Sequence, residues 1–288
     1  MKFAAVSQAH RRGVAVVDAG GELRGLWSDD AAYAGDLMTI IAGGGDRIQE
    51  FGEVLLRKGG PIDPEAVRFE VPVAAPRKIL CVGLNYADHS AESEMDAPDY
   101  PTVFARFTSS LVAHGQPLVC PRVSSQFDYE GELVAVIGKG GREIPESRAL
   151  DHVLGYSVFN DGSVRDYQKR TPQWTVGKNF DSTGGFGPYL VTADELPAGA
   201  KGLRLVTRLN GEILQDANTD DLLFSVAQLV SPLSVSMTLE PGDVIVTGTP
   251  AGVGFARKPQ IFMKPGDRCE IEIEGVGRLS NPVIAPGE

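Results

Sequence analysis

Glu130 and Glu132 stand two residues apart in Phe127-Asp128-Tyr129-Glu130-Gly131-Glu132-Leu133-Val134-Ala135-Val136-Ile137. Asp161 follows a second apolar run, residues 154–159, in Asn160-Asp161-Gly162. Successive side chains on a strand alternate faces, so the two glutamates project to one side, close enough to share a cation. Bare carboxylates at that spacing repel, a strain that a divalent ion relieves, as does a proton kept on one of them. Glu-x-Glu also occurs on solvated strand faces. Here the apolar run 133–137 follows at once and reads as a buried strand, and a carboxylate pair opening such a strand needs a partner. No His or Cys sits at ligand spacing nearby. The all-oxygen set therefore predicts Mg²⁺ or Mn²⁺, admits Ca²⁺ and disfavours Zn²⁺.

Other segments carry groups that can move protons or hold anions. In Gly83-Leu84-Asn85-Tyr86-Ala87-Asp88-His89-Ser90-Ala91-Glu92, His89 and Glu92 are three apart on one side of a helical turn. That spacing gives a general base and its orienter, or a surface imidazole beside a surface acid. The run from Met95 through Pro98 to Pro101 predicts a mobile loop or lid. Lys178, in Trp174-Thr175-Val176-Gly177-Lys178-Asn179-Phe180, is a surface lysine or a cation drawn inward to an anion. Arg165, Asp166 and Gln168 follow Asp161 on one helical turn, and Arg106 lies between Ala105 and Phe107 on a strand. Gly248-Thr249-Pro250-Ala251-Gly252-Val253-Gly254 follows an apolar strand and offers backbone N–H groups to an anion. It lacks the Gly-Lys-Ser/Thr ending of a phosphate loop and sits in a hairpin-like rather than a βαβ setting.

These residues need a framework. The 288 residues suffice for one large domain or a large and a small one. The net charge of −11 argues against nucleic acid or an anionic membrane as partner, so an acidic substrate must find local positive contacts. Cys81, Cys120 and Cys269 show no C-x-x-C spacing and read as reduced packing residues of a cytoplasmic protein. No leader or membrane-length apolar run is expected. Residues 1–72 read as a small α/β domain, with strands at 3–6 and 13–17 and helical patterns at 33–42 and 47–58. Pro61, Pro64, Pro72 and Pro76 punctuate the passage to residues 73–288. There, strands are expected at 79–82, 102–107, 131–137, 154–159, 203–209, 212–215, 243–247 and 269–274, with a helix at 222–233. Asn210-Gly211 marks a two-residue hairpin. The class is α+β, mainly β, a mixed sandwich or barrel with few helices.

Five segments in order carry a resemblance: Val82 to His89, Asp128-Tyr129-Glu130-Gly131-Glu132-Leu133, Phe159 to Asp166, Trp174 to Phe180, and Thr247 to Gly254. Over residues 78–282 the chain resembles the fumarylacetoacetate hydrolase superfamily in its shorter two-domain bacterial form. The resemblance implies a β-sandwich-like roll, usually a homodimer, with Mg²⁺ or Mn²⁺ on Glu130, Glu132 and Asp161. It implies a lid-borne catalytic dyad at His89 and Glu92. Lys178 and Gln168 match residues that contact substrate oxygens, and Thr249, next to Gly248, matches one that holds the substrate carboxylate. Arg106 stands where many relatives place Lys, a planar fork suited to a different or larger anion. Leu84 stands where several relatives carry Arg.

The reaction expected from this set is metal-dependent hydrolysis of a carbon–carbon bond in a 2,4-dioxo acid, such as an acylpyruvate or fumarylpyruvate. In it His89 activates water, and the metal and Lys178 take the charge of a pyruvate enolate. The same residues suit oxaloacetate decarboxylation, or isomerisation or hydration of a hydroxymuconate-type 2-oxo acid of aromatic catabolism. A non-catalytic module holding structural Ca²⁺ is the rival from another class; the dyad and the lone Lys178 argue against it.

Overall fold

The computed structural model describes residues 1–92 and 98–287. The chain begins with strands β1 (Lys2–Gln8), β2 (Arg11–Val17) and β3 (Leu23–Trp27), helices α1 (Leu37–Ile41) and α2 (Gly45–Lys58), and short strands β4 (Gly60–Ile62) and β5 (Arg68–Glu70). Next come β6 (Ile79–Gly83), α3 (Ala87–Glu92), β7 (Thr102–Ala105), β8 (Leu111–Ala113) and β9 (Leu118–Val119). The site segment comprises β10 (Phe127–Asp128), β11 (Gly131–Ile137), β12 (Val153–Asp161), β13 (Ser163–Val164), α4 (Arg165–Gln168) and α5 (Thr175–Lys178). Strands β14 (Gly184–Phe186), β15 (Leu190–Thr192), β16 (Arg204–Leu209) and β17 (Glu212–Asn218) lead to α6 (Val226–Ser236), and β18 (Val244–Val246), β19 (Arg268–Ile273) and β20 (Gly277–Ile284) close the chain.

The fold is α+β and mainly β. One large mixed sheet runs β4-β3-β2-β1-β15-β12-β11-β18-β6-β7, with β5, β14 and β8 paired off this path. A second sheet, β17-β16-β19-β20-β9, covers one of its faces. Strand β11 is buried throughout and alternates between two cores. Leu133, Ala135 and Ile137 pack with Leu205, Ile271 and Leu279 of the second sheet and with Leu229 and Leu233 of α6. Val134 and Val136 turn to the other face, where Phe3, Val16, Ile40 and Leu55 of the N-terminal segment pack with Phe159, Phe186 and Val246. A strand buried on both faces reads as an unbroken apolar run rather than as an alternation.

The N-terminal segment holds β3, β4 and β5 in addition to the two expected strands, and β1 pairs with β15 through Lys2↔Val191 and Phe3↔Leu190. Hydrogen bonding thus crosses the Pro-punctuated passage expected to part residues 1–72 from 73–288. The hairpin at Asn210-Gly211 forms as read: both residues have positive φ, 53° and 86°, as a type I′ turn requires, and β16 pairs with β17. The helix expected at 222–233 starts later, at Val226, because Ser225 and Gln228 cap each other's backbone N–H groups in a capping box. The segment 127–137, read as one strand, breaks at Tyr129 and Glu130. There the backbone N–H groups of Tyr129, Glu130 and Gly131 donate to the side chains of Asp128, Asn160 and Gln215 instead of to a ladder. Among the described residues no helix is long and apolar enough to cross a membrane.

Candidate metal centre and active site

Register builds the acidic cluster. Glu132 lies opposite Phe159 in the β11–β12 pairing, and Asp161 N–H donates to Glu130 O at 2.9 Å. Glu130, Glu132, Phe159 and Asp161 therefore share one face, at the end of the strands where apolar residues give way to the site. A ligand oxygen from each of Glu130, Glu132 and Asp161 lies within 4.8 Å of the others, and all three residues are buried.

Cations surround this cluster unequally. Lys178 Nζ donates to Glu130 Oε2 at 2.5 Å and to Asp161 Oδ2 at 2.6 Å. Arg165 Nη2 lies 2.6 Å from Glu130 Oε1, while its Nε donates to Asp128 Oδ2 at 2.8 Å. Arg106 Nη1 reaches Asp161 Oδ1 at 2.5 Å. Among the described residues Glu132 has no such partner; its Oε2 accepts the Gly248 N–H, at 2.5 Å. Asp128, Glu130, Glu132 and Asp161 thus face Arg106, Arg165 and Lys178 with one carboxylate in excess.

The electrostatics follow. Burial works against ionised Glu130, but Arg165, Lys178 and His89 outweigh it and hold this carboxyl at about 2. Burial, then Asp161 and Glu130, push Glu132 well above the carboxylate range, and Lys178 and the Gly248 N–H offset this only in part. Burial also opposes a charged Lys178, yet Asp161 and Glu130 raise it and keep it an ammonium. An oxygen-only donor set with one uncompensated buried carboxylate fits a hard divalent cation, which Glu130, Glu132 and Asp161 would hold.

The dyad forms across the cavity. His89 Nδ1 lies 2.9 Å from Glu92 Oε1 on α3, and Glu92 Oε2 accepts the Gly252 N–H at 2.9 Å. With Nδ1 committed to Glu92, Nε2 is the ring nitrogen for a reacting group. His89, Glu130, Glu132, Asp161, Gln168, Lys178 and Thr249 all line one cavity of about 460 Å³, together with Leu84, Phe104, Trp174 and Phe255. Gln168 Oε1 accepts from Arg165 Nη1 at 2.9 Å, which leaves the amide NH₂ as its donor to a ligand. Thr249 Oγ1 accepts from Gln215 Nε2 and donates to Gly131 O, so it must release the latter to donate to a substrate carboxylate.

Two expected substrate contacts lie elsewhere. Arg106 is off the cavity wall, behind Asp161, where its guanidinium also bonds Ser110 Oγ, Gly162 O and Thr183 Oγ1. Its charge is spent on a protein carboxylate. Gly248 is likewise off the wall and supports Glu132. The loop 248–255 does hold anions with its backbone, but they are the protein's own: Glu132 at Gly248, Glu92 at Gly252, and Asp128 at Gly254 and Phe255. Met95, where the expected lid begins, lies outside the described residues. Asp128 and Phe255 went unread as site residues, although Asp128 shares strand parity with Glu130 and Glu132.

Residues 78–284 match the C-terminal domain family of fumarylacetoacetate (FAA) hydrolase. The mitochondrial oxaloacetate tautomerase of Xenopus laevis is 44% identical over 215 residues, 74% of this chain and 67% of that protein. The solved structure of a fumarylacetoacetate hydrolase from Exiguobacterium antarcticum superposes with a TM-score of 0.86 at 36% identity, covering 99% of each chain. Fumarylpyruvate hydrolase from Pseudomonas aeruginosa, solved in complex with Mn²⁺ and pyruvate, gives 0.67 at 35% identity, covering 76% of this chain and 92% of that one.

Proposed function

Since the chain belongs to the fumarylacetoacetate hydrolase family, we propose that it is a Mg²⁺- or Mn²⁺-dependent enzyme that interconverts the enol and keto forms of oxaloacetate. The observation that carries this reading is the His89–Glu92 pair on the wall of a cavity that also holds the buried triad and Lys178. Proton transfer next to a carbonyl needs a base on one side of the carbon and positive charge at the oxygen, and this arrangement supplies both. The oxaloacetate tautomerase similar to this chain and the pyruvate-bound relative support a 2-oxo acid as ligand.

A divalent ion bound by Glu130, Glu132 and Asp161 would neutralise the excess carboxylate and polarise the 2-oxo oxygen as a Lewis acid. The enol O–H gives up its proton to solvent and His89 Nε2 gives one to C3; in reverse His89 removes the C3 proton and the oxygen takes one up, while Glu92 fixes the ring through Nδ1. Lys178 and the Gln168 amide hold the oxygen end and favour negative charge there. His89→Asn is expected to lower turnover by about 10²- to 10⁴-fold with metal affinity retained.

A second reading, hydrolysis of an acylpyruvate, keeps the same dyad with water as the group His89 deprotonates. The size of the cavity relative to a four-carbon acid favours it. An NMR time course in D₂O, with Mg²⁺ and after chelation, separates the two. Metal-dependent enol loss and deuterium entry at C3 of oxaloacetate are expected for the tautomerase. Acetate and pyruvate released from acetylpyruvate, with oxaloacetate exchange no faster than in buffer, would replace it with the hydrolase, and pyruvate with carbon dioxide from oxaloacetate with a decarboxylase.

A further inference from the structure

The chain climbs from the floor of the cavity to its mouth between Asp161 and Arg170. Asp161 is fully buried, Arg165 and Gln168 are nearly so, and Lys169 and Arg170, just past the end of α4, are exposed, yet all five line the same cavity. The deeper cations are committed: Arg165 to Asp128 and Glu130, Lys178 to Glu130 and Asp161. Lys169 and Arg170 are not. Among the described residues neither forms an ion pair, and the nearest acid in sequence, Asp166, accepts a hydrogen bond from Ser124 Oγ at 2.6 Å.

Both cations are nonetheless held in place. Lys169 Nζ sits 3.8 Å from the centre of the Phe255 ring, itself part of the cavity wall, and the Arg170 guanidinium lies 3.8 Å from that of Tyr167. Stacking on an aromatic face restrains a cation without neutralising it. Lys169 titrates below an ordinary lysine because burial and then Arg165 disfavour its charge, with Asp128 too weak to restore it. Lys78, which meets Asp243 and Glu240, is raised despite its burial. In a chain of net charge −11, Lys169 and Arg170 thus place two cations outside any ion pair, among the described residues, on the wall of the cavity.

Resting on the proposed binding of a 2-oxo acid head at the triad, we infer that Lys169 and Arg170 form a subsite for a second, distal anionic group. The site therefore selects 2-oxo dicarboxylates over 2-oxo monocarboxylates of equal length. The cavity is of a size that takes ligands larger than a four-carbon diacid. Phe104, Trp174 and Leu84 give its wall an apolar stretch for the carbon chain between the charged ends.

Calorimetric titration of the Mg²⁺-loaded full-length protein tests this without turnover. The ligands are oxalate, which occupies the head position only, and two matched pairs: 2-oxoglutarate with 2-oxovalerate, and 2-oxoadipate with 2-oxohexanoate. The expected result is a preference of about tenfold or more for each diacid, the worth of one charge-assisted contact. That preference should be lost in the Lys169→Gln, Arg170→Gln double variant, with oxalate affinity unchanged. Equal affinities within each pair, or a preference that survives the double substitution while oxalate still binds, would overturn the subsite alone. Failure of oxalate to bind the wild type would overturn the head-group reading and the subsite with it.

Discussion

Glu132 is the residue on which the charge balance of the site turns. Its neighbours Glu130 and Asp161 share Lys178 and have Arg165 and Arg106 behind them, while Glu132 has one backbone N–H. Glu132→Gln keeps the shape, still accepts the Gly248 N–H and removes the uncompensated charge. The metal-free variant is expected to melt a few degrees higher than the wild type, to lose the stabilisation that added Mg²⁺ or Mn²⁺ gives the wild type, and to lose metal-dependent turnover. Thermal melts with and without the ion check all but the last, and a wild type indifferent to both ions would remove the metal assignment. The triad was legible because a strand has period two and an apolar run announces burial. Arg106 was misread for a reason of scale. In sequence it is a cation between apolar residues, and nothing local tells that a carboxylate 55 positions away will claim it.

Loop 248–255 shows why elements resist reading from composition alone. Its glycines signalled close backbone approach to an anion, which was correct, but the identity of the anions depends on α3, β10 and β11 meeting there. Gly252 has φ of 101°, and a Cβ there would lie 2.1 Å from Leu214 O. Gly252→Ala should lower the melting temperature by a few degrees, from about 1–3 kcal/mol of backbone strain. It should also reduce kcat beyond what partial unfolding explains, because the peptide that holds Glu92 moves; metal affinity should not change. Between β8 and β20 a different element junction sets a pH limit. Ser280 N–H donates to His114 Nδ1 at 3.1 Å, and burial, then Arg278 and Arg268, lower the His114 pKa below its ordinary 6.5. Between the two values the unfolded chain takes up a proton that the folded chain refuses. His114 therefore contributes stability that is complete above about pH 6.5 and is lost as pH falls through the folded value. The urea midpoint should drop from pH 7.5 to 5.5, and His114→Asn, which can still accept from Ser280, should flatten that part of the drop.

For the whole molecule, the proline-rich passage reads as a boundary, whereas packing joins what lies on either side of it. Phe3, Val16, Leu37, Ile40 and Leu55 share a core with Val134, Phe159, Phe186 and Val246, and β1 extends the sheet that carries the site. Sequence periodicity locates strands but not their partners, so the β1–β15 pairing, which sets Phe3 opposite Leu190, had no local signal. The two tryptophans provide a test, since Trp27 lies on β3 and Trp174 beside the cavity. Urea unfolding followed in the Trp27→Phe and Trp174→Phe variants, each scaled to its own stability by circular dichroism, should show fluorescence and global midpoints that coincide. A Trp27 transition well ahead of the global one would mean that the N-terminal segment unfolds as a separate unit.

The way Glu132, Glu92 and Asp128 are suspended has a consequence for how this site can change. Each hangs from peptide nitrogen, and no side chain of the loop donates any of these bonds. Side-chain replacement at Pro250, Ala251 or Val253 cannot erase such donors, so substitutions at those three positions should leave the acids where they are. Three acids are fixed by instructions written in the backbone, leaving those positions room to drift in composition while the chemistry beside them stays put.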